Sequence, residues 1–225
     1  MSGICMGLSG GMDSATMLAT ILDSWEHDRK KVFCLGFNYG SKHNQYENKA
    51  AFEIAKYYGV DYKLLDLTNV IGALFKSDLL LTGGDIPEGH YNDVSMSRTV
   101  VPGRNIIFAS ILAGYAWSKD CNQIALGVHL GDRSVYSDCR PEFIKSLDTT
   151  IYLGTDHRVE VISPFIKMNK IDICRVGLAL DVPYDLTRTC YSDQEVSCSR
   201  CGSCSERLEA FNLNNAVDPI MYQEI

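Results

Sequence analysis

A short apolar run, residues 3–8 (GICMGL), leads straight into Ser9-Gly10-Gly11-Met12-Asp13-Ser14, and an apolar stretch with helical spacing follows over residues 13–25. This order of strand, small residues and helix constrains the fold more than anything else in the chain. Glycines let a backbone approach a ligand closely and adopt unusual φ values, while the first N–H groups of a helix carry partial positive charge, so the turn is suited to an anion. Ser9 and Ser14 add hydroxyl donors. Asp13 is out of place beside a phosphate unless it holds a Mg²⁺ that bridges phosphate oxygens. The turn has neither the lysine of G-x-x-x-x-G-K-[ST] nor the spacing of G-x-G-x-x-G. The plainer reading of the same residues is an aspartate-capped helix after a glycine turn.

The rest of the chain repeats the strand-then-helix rhythm. Strands are expected at residues 31–39, 61–67, 122–128 and 159–165, and helices at 43–58, 105–118 (a buried one), 141–153 and 170–180. Repeated βα units imply a parallel sheet sandwiched between helices with right-handed crossovers, and ligands at the carboxyl ends of its strands. Residues 77–102 hold glycines and prolines without periodicity, which predicts a mobile segment over the site. Two units are expected, an α/β domain carrying the glycine turn at 1–183 and a small cysteine-bearing module at 184–225.

With 46% hydrophobic and 22% charged residues and no apolar run of membrane-spanning length, the composition is that of a globular protein. No secretory signal opens the chain, so a cytoplasmic location with reduced thiols is expected. The net charge of −7 argues against direct nucleic-acid binding and favours a small-molecule partner, although Arg200 and Arg207 form a local basic pair in the sequence.

Of nine cysteines, four crowd together with C-x7-C-x2-C-x2-C spacing: Cys190, Cys198, Cys201 and Cys204. In a reducing compartment such a set reads as metal ligands rather than disulfides. A Cys₄ tetrahedron suits structural Zn²⁺, and a [4Fe–4S] cluster is the competing occupant. Elsewhere, Arg104 in VPGRN is placed to meet a phosphate or carboxylate in a bidentate fork. DCRPEF gathers Asp138, Cys139 and Arg140, with Cys139 read as a thiol lining the pocket. His43 and His129 follow expected strands and are weaker site candidates. His27, His90 and His157 are read as surface or core residues.

The SGGMDS turn resembles S-G-G-x-D-S, the pyrophosphate loop of the N-type ATP pyrophosphatases, which cleave ATP between the α and β phosphates to adenylate a substrate oxygen. Together with VPGRN, DCRPEF, YDLTRTCY and the cysteine spacing, in that order along nearly the whole chain, it resembles the QueC family. The resemblance implies a Rossmann-like fold of the adenine nucleotide alpha hydrolase type with a small C-terminal Cys₄ zinc module. It also implies conversion of 7-carboxy-7-deazaguanine, ATP and ammonia to the nitrile, by way of an adenylated carboxylate and then an amide, in queuosine or related base modification. By the same resemblance Leu8, Ser9, Gly10, Gly11, Met12, Asp13, Ser14, Ala15, Thr16, Met17 and Leu18 form the ATP site, with Mg²⁺ on Asp13. Asp13, Ser14 and Arg104 act in catalysis, Asp132, Asp138 and Arg140 recognise the base, and the protein works as a homodimer.

Arg188 stands where the family commonly has an aromatic residue, and His129 and Gly131 also depart from its usual pattern. An amide-forming ligase, an iron–sulfur tRNA thiolase and a non-catalytic ATP-binding subunit are the alternatives.

Overall fold

The computed structural model describes residues 3–24 and 29–224. Its centre is a five-stranded sheet in the order β3-β2-β1-β4-β5, with every neighbouring pair parallel. The strands are β1 (Ile4–Gly7), β2 (Val32–Asn38), β3 (Asp61–Asp66), β4 (Gln123–Ala125) and β5 (Glu160–Ile162). The helices are α1 (Met12–Ser24), α2 (Asn44–Tyr58), α3 (Arg104–Ser118), α4 (Pro141–Gly154), α5 (Lys170–Ala179) and α6 (Gly202–Leu213). The fold is therefore the expected α/β type, a Rossmann-like parallel sheet between helical layers. Trp25, the expected end of the first helix, and His27 lie outside the described residues. No described helix is long and apolar enough to cross a membrane.

Side-chain alternation along β1 explains why both faces are covered. Ile4, Met6 and Leu8 enter one core with Met12, Ala15 and Leu18 of α1, whereas Cys5 points into the other with Leu35, Leu112 and Ile124. Successive strand residues face opposite sides, so a strand apolar at every position must be buried on both. α1 is itself wrapped, because Ile173 and Cys174 of α5 and Ala210 and Phe211 of α6 close over it. The strand order reverses between β1 and β4, which opens a crevice at the carboxyl edge of the sheet.

Three sequence expectations change here. α3 is half-buried rather than buried: Ala109, Leu112, Ala113 and Ala116 face the sheet, while Ile106 is 48% and Trp117 39% exposed. An apolar run does not distinguish a core-facing stripe from full burial. The 77–102 segment is tied down. Leu80 bridges Ser41, Glu88 bridges Cys201, and Arg98 Nε pairs with Asp78 Oδ2 at 2.6 Å. Lys42 Nζ donates to the carbonyls of Asp78 and Gly84, and Gly89 N to that of Arg200. Lastly, Arg200 and Arg207 form no basic patch. Arg207 is fully buried against Asp218, while Arg200 stands near Glu88 at 3.4 Å.

Candidate active site

The glycine turn sits at the carboxyl end of β1 and lines a cavity of about 260 Å³ at the strand-order reversal. Gly10 has φ +86°, and a Cβ there would collide with the carbonyl oxygen of Glu47. Only glycine combines that backbone conformation with that approach. The Gly11 carbonyl takes the first helical bond, from Ala15 N at 3.1 Å. Ser9 Oγ lies 3.2 Å from both Ser14 Oγ and Gly11 N, and Ser14 Oγ donates to the Gly11 carbonyl at 3.0 Å. The two hydroxyls thus stand together at a helix N-terminus. Further along α1 the expected ATP residues part company. Leu8, Ser9, Gly11, Met12, Asp13 and Ser14 line the cavity. Ala15, Met17 and Leu18 lie in the core, and the Thr16 hydroxyl bonds the Met12 carbonyl and Tyr184 Oη, both at 2.8 Å.

Asp13 is the centre of one wall. Its Oδ2 meets Lys170 Nζ at 2.5 Å, and Lys170 is also 3.3 Å from Glu206 Oε2. His129 Nδ1 accepts from Gly131 N at 3.1 Å, so Nε2 carries the proton that faces Asp13 Oδ2 from 3.6 Å. Burial opposes the charge on Asp13. Lys170, and then His129, outweigh it and hold the carboxyl below the usual carboxylate range. The second oxygen, Oδ1, is buried and has no hydrogen-bond partner. A buried lone-pair oxygen without a donor is costly, and a hard cation is the natural complement to it.

Lys170 and Glu206 were not found from sequence. A signal for Lys170 exists. It opens α5, where the helix dipole favours acids, behind an Asn169/Asp172 capping box that already satisfies the first turn. A buried lysine at that place must be held by carboxylates from elsewhere.

The opposite wall comes from the end of β2 and the starts of α2 and α3. Arg104, the first residue of α3, donates from Nη1 to Tyr39 Oη at 3.3 Å, and its guanidinium lies 5.7 Å from the Tyr39 ring centre. His43 and Glu47 stand one helical turn apart, with Nε2 3.3 Å from Oε2. Phe37 and Phe108 stack with ring centres 4.1 Å apart. Cys139 also lines the cavity and accepts from Asn105 Nδ2 at 3.8 Å.

Asp138 and Arg140 do not line the cavity. Asp138 Oδ2 and its carbonyl accept from Asn105 N and Nδ2, both at 3.3 Å, which fixes the first turn of α3 beside Arg104. Arg140 is exposed and donates from Nε to the Arg133 carbonyl. Asp132 falls in the short helical turn Gly131–Ser134, and its side chain lies outside the described residues.

Cys190, Cys198, Cys201 and Cys204 are all buried, and their sulfurs lie within 4.8 Å of one another. Cys198 and Cys204 Sγ are 3.9 Å apart. Four thiolates around one Zn²⁺ at about 2.3 Å would stand ~3.8 Å apart. A cubane cluster instead presents each cysteine to a separate iron at its corners, which spreads the sulfurs wider. Backbone N–H groups of Ser192 and Cys198 point at Cys190 Sγ, and that of Cys201 at Cys198 Sγ, at 3.3–3.4 Å. Donors aimed at sulfur suit thiolates, so the chemistry of the set fits a metal ion. The cluster borders the cavity: Thr189 and Tyr191 flank Cys190, and α6 carries Ser203 and Glu206 into the lining.

A parallel sheet of this order, with a serine- and glycine-rich turn at its reversal and beside it a buried four-cysteine set that could hold a metal, defines a Rossmann-like protein of the pyrophosphate-loop class. The chain belongs to the QueC family: the family model described as queuosine biosynthesis protein QueC matches residues 3–215. It is 42% identical over 219 residues to the 7-cyano-7-deazaguanine synthase of Pseudoalteromonas atlantica, covering 96% of each chain. It is 39% identical over 216 residues to that of Caldicellulosiruptor bescii, covering 96% of this chain and 95% of the other. Among solved structures, the U34-tRNA thiolase NcsA from Methanococcus maripaludis with its [4Fe-4S] cluster shares the fold. The TM-score is 0.51 at 18% identity, covering 95% of this chain and 64% of that one.

Proposed function

We propose that this protein is an ATP-dependent ligase that converts 7-carboxy-7-deazaguanine and ammonia to 7-cyano-7-deazaguanine, for queuosine or deazaguanine-modified nucleic acid. The carboxylate oxygen attacks the α-phosphorus of ATP, and pyrophosphate leaves. Ammonia then displaces AMP to give the amide. A second ATP adenylates the amide oxygen, and loss of AMP gives the nitrile. One observation carries the reading: in a family member, the serine hydroxyls and helix N-terminus of the glycine turn share a cavity with a carboxylate whose Oδ1 has no protein partner.

This chemistry needs alignment and charge neutralisation more than a protein nucleophile. The Ser9–Ser14 turn grips the departing pyrophosphate, and Lys170 offsets its growing charge. Asp13 Oδ1 would hold Mg²⁺, which spreads negative charge over phosphate oxygens when bound. Arg104 faces the cavity and takes the substrate carboxylate or the AMP phosphate, while Asp138 acts through Asn105 by fixing the start of α3. Cys190, Cys198, Cys201 and Cys204 hold a structural Zn²⁺ that braces the 184–225 module against the 1–183 domain, and the sulfur spacing supports one ion over a cubane. The enzyme works in the cytosol as a homodimer.

Incubation with ATP, Mg²⁺, ammonium and 7-carboxy-7-deazaguanine, followed by mass spectrometry of the base, tests the reading. The expected products are the nitrile and AMP. Amide alone would mark a shortened reaction, and release of ADP in place of AMP would refute adenylation.

A further inference from the structure

The reaction just proposed strips three protons from one nitrogen: one as ammonia becomes the amide, two as the amide becomes the nitrile. The glycine turn and Arg104 supply no base for them. The wall opposite Asp13 does. His43 is the residue before α2, 2% exposed, and borders the cavity. Its Nε2 faces Glu47 Oε2 at 3.3 Å and Tyr39 Oη at 3.5 Å. A carboxylate on one ring nitrogen fixes the imidazole as the tautomer with its proton there, leaving the other nitrogen a bare lone pair. That other nitrogen, Nδ1, is buried and has no hydrogen-bond partner. A helix-capping histidine would be expected to spend Nδ1 on a backbone N–H, yet His43 makes no side-chain bond to the start of α2.

The pair also stands next to the nucleotide turn. The carbonyl of Glu47 lies against Gly10, close enough that a Cβ there would collide with it. Tyr191 packs its ring 5.2 Å from the His43 ring, and Arg104 reaches the cluster through Tyr39. Glu47, Tyr39, Tyr191 and Arg104 are thus the titratable and charged groups around the imidazole.

We propose, on the strength of the function assigned above, that His43 is the general base of this site, oriented by Glu47, and takes the protons released by the reacting nitrogen. In the first half, the ammonia lone pair forms the C–N bond, the C–O bond to AMP breaks with its electrons on AMP, and one N–H proton passes to Nδ1. In the second, with the amide oxygen adenylated, the nitrogen loses its two protons in turn. The C–O bond breaks, AMP leaves, and the third carbon–nitrogen bond forms. The imidazole hands each proton to solvent before taking the next. Glu47 is a positioning residue.

His43→Gln tests this, because glutamine retains a donor toward Glu47 but no basic nitrogen. Adenylation is read as carboxylate-dependent exchange of labelled pyrophosphate into ATP without ammonium, and the later steps as nitrile formed from the acid with ammonium and from the amide with ATP. The variant is expected to exchange within about threefold of the unaltered protein, with KM for ATP unchanged, while kcat for nitrile falls about 10²-fold or more. Glu47→Gln is expected to give a smaller loss of the same kind, and decides the matter if the first variant does not fold. Nitrile turnover within about threefold in either folded variant overturns the proposal, and so does exchange that falls in step with turnover, the mark of a structural role. Absence of exchange in the unaltered protein would instead strike the assigned reaction itself.

Discussion

Glu206 and Arg207 are adjacent on α6 and end in two different kinds of buried charge cluster. Arg207 uses all five of its donors. Nε and Nη2 take the two oxygens of Asp218 at 2.7 and 2.9 Å, Nη1 takes the hydroxyls of Thr187 and Thr189, and Nη2 also takes the Tyr184 carbonyl. Tyr222 Oη closes the far side by donating to Asp218 at 2.6 Å. Nothing in that node is left for a ligand. Glu206 instead meets Lys170, which meets Asp13, and there Oδ1 stays open and the carboxylate is a quarter exposed. A charge buried for architecture is satisfied to the last hydrogen bond, because each missing partner costs stability. The Asp13 cluster differs in that one carboxylate oxygen, Oδ1, has no protein donor.

Disrupting the four-cysteine cluster, which precedes and opens α6, should have the largest effect. Cys201→Ser, at the residue before α6, is expected to lose the bound metal by elemental analysis and to lower the melting temperature more than any change below, since metal binding adds directly to folding energy. Retention of metal and stability would refute the ligand assignment. Next, Asp218→Asn removes the carboxylate charge that faces buried Arg207 and is expected to cost about 3–5 kcal/mol in denaturant unfolding. Nitrile turnover per folded molecule should hardly change, and a large loss of turnover would collapse the distinction between the two clusters.

Asp13→Asn should do the reverse. Lys170 still has Glu206, so the fold survives with little change in melting temperature. Turnover falls about 10²–10³-fold, or ~2.7–4 kcal/mol in the barrier, as for other lost electrostatic groups. An Asp13→Asn protein that unfolds early but turns over normally would show the carboxylate to be structural. The smallest effect is expected for Tyr222→Phe, which deletes one hydrogen bond to a charged group and costs about 1.5–3 kcal/mol of stability with no change in KM for ATP.

Local patterning made much of this molecule legible. Strand-like runs marked all five strands, the glycine turn marked the crevice, and cysteine spacing marked the buried four-thiol cluster, because each is written in contiguous residues. β4 and β5 came out shorter than expected, and α6 was not anticipated, its first turn being hidden among closely spaced cysteines. The site itself was only half visible. Asp13, His129, Lys170 and Glu206 come from four distant parts of the chain, and only folding brings them together. Of the residues expected to recognise the base, Asp132, Asp138 and Arg140, Asp138 holds the first turn of α3 and Arg140 is exposed, positions that sequence neighbourhood does not reveal. Arg188, unusual as a substituent, has a clear task. It lies 4.8 Å from the Tyr46 ring centre and donates to the carbonyls of Ser192, Gln194 and Glu195, shaping the chain that leads to the cysteines.

The backbone N–H of Arg188 also donates to the Gly10 carbonyl at 2.8 Å. Some 170 residues of chain separate the glycine turn from the segment that fastens it. A fragment that ends before Arg188 therefore keeps the motif but loses this anchor, so the shape of the turn depends on a residue far away in sequence.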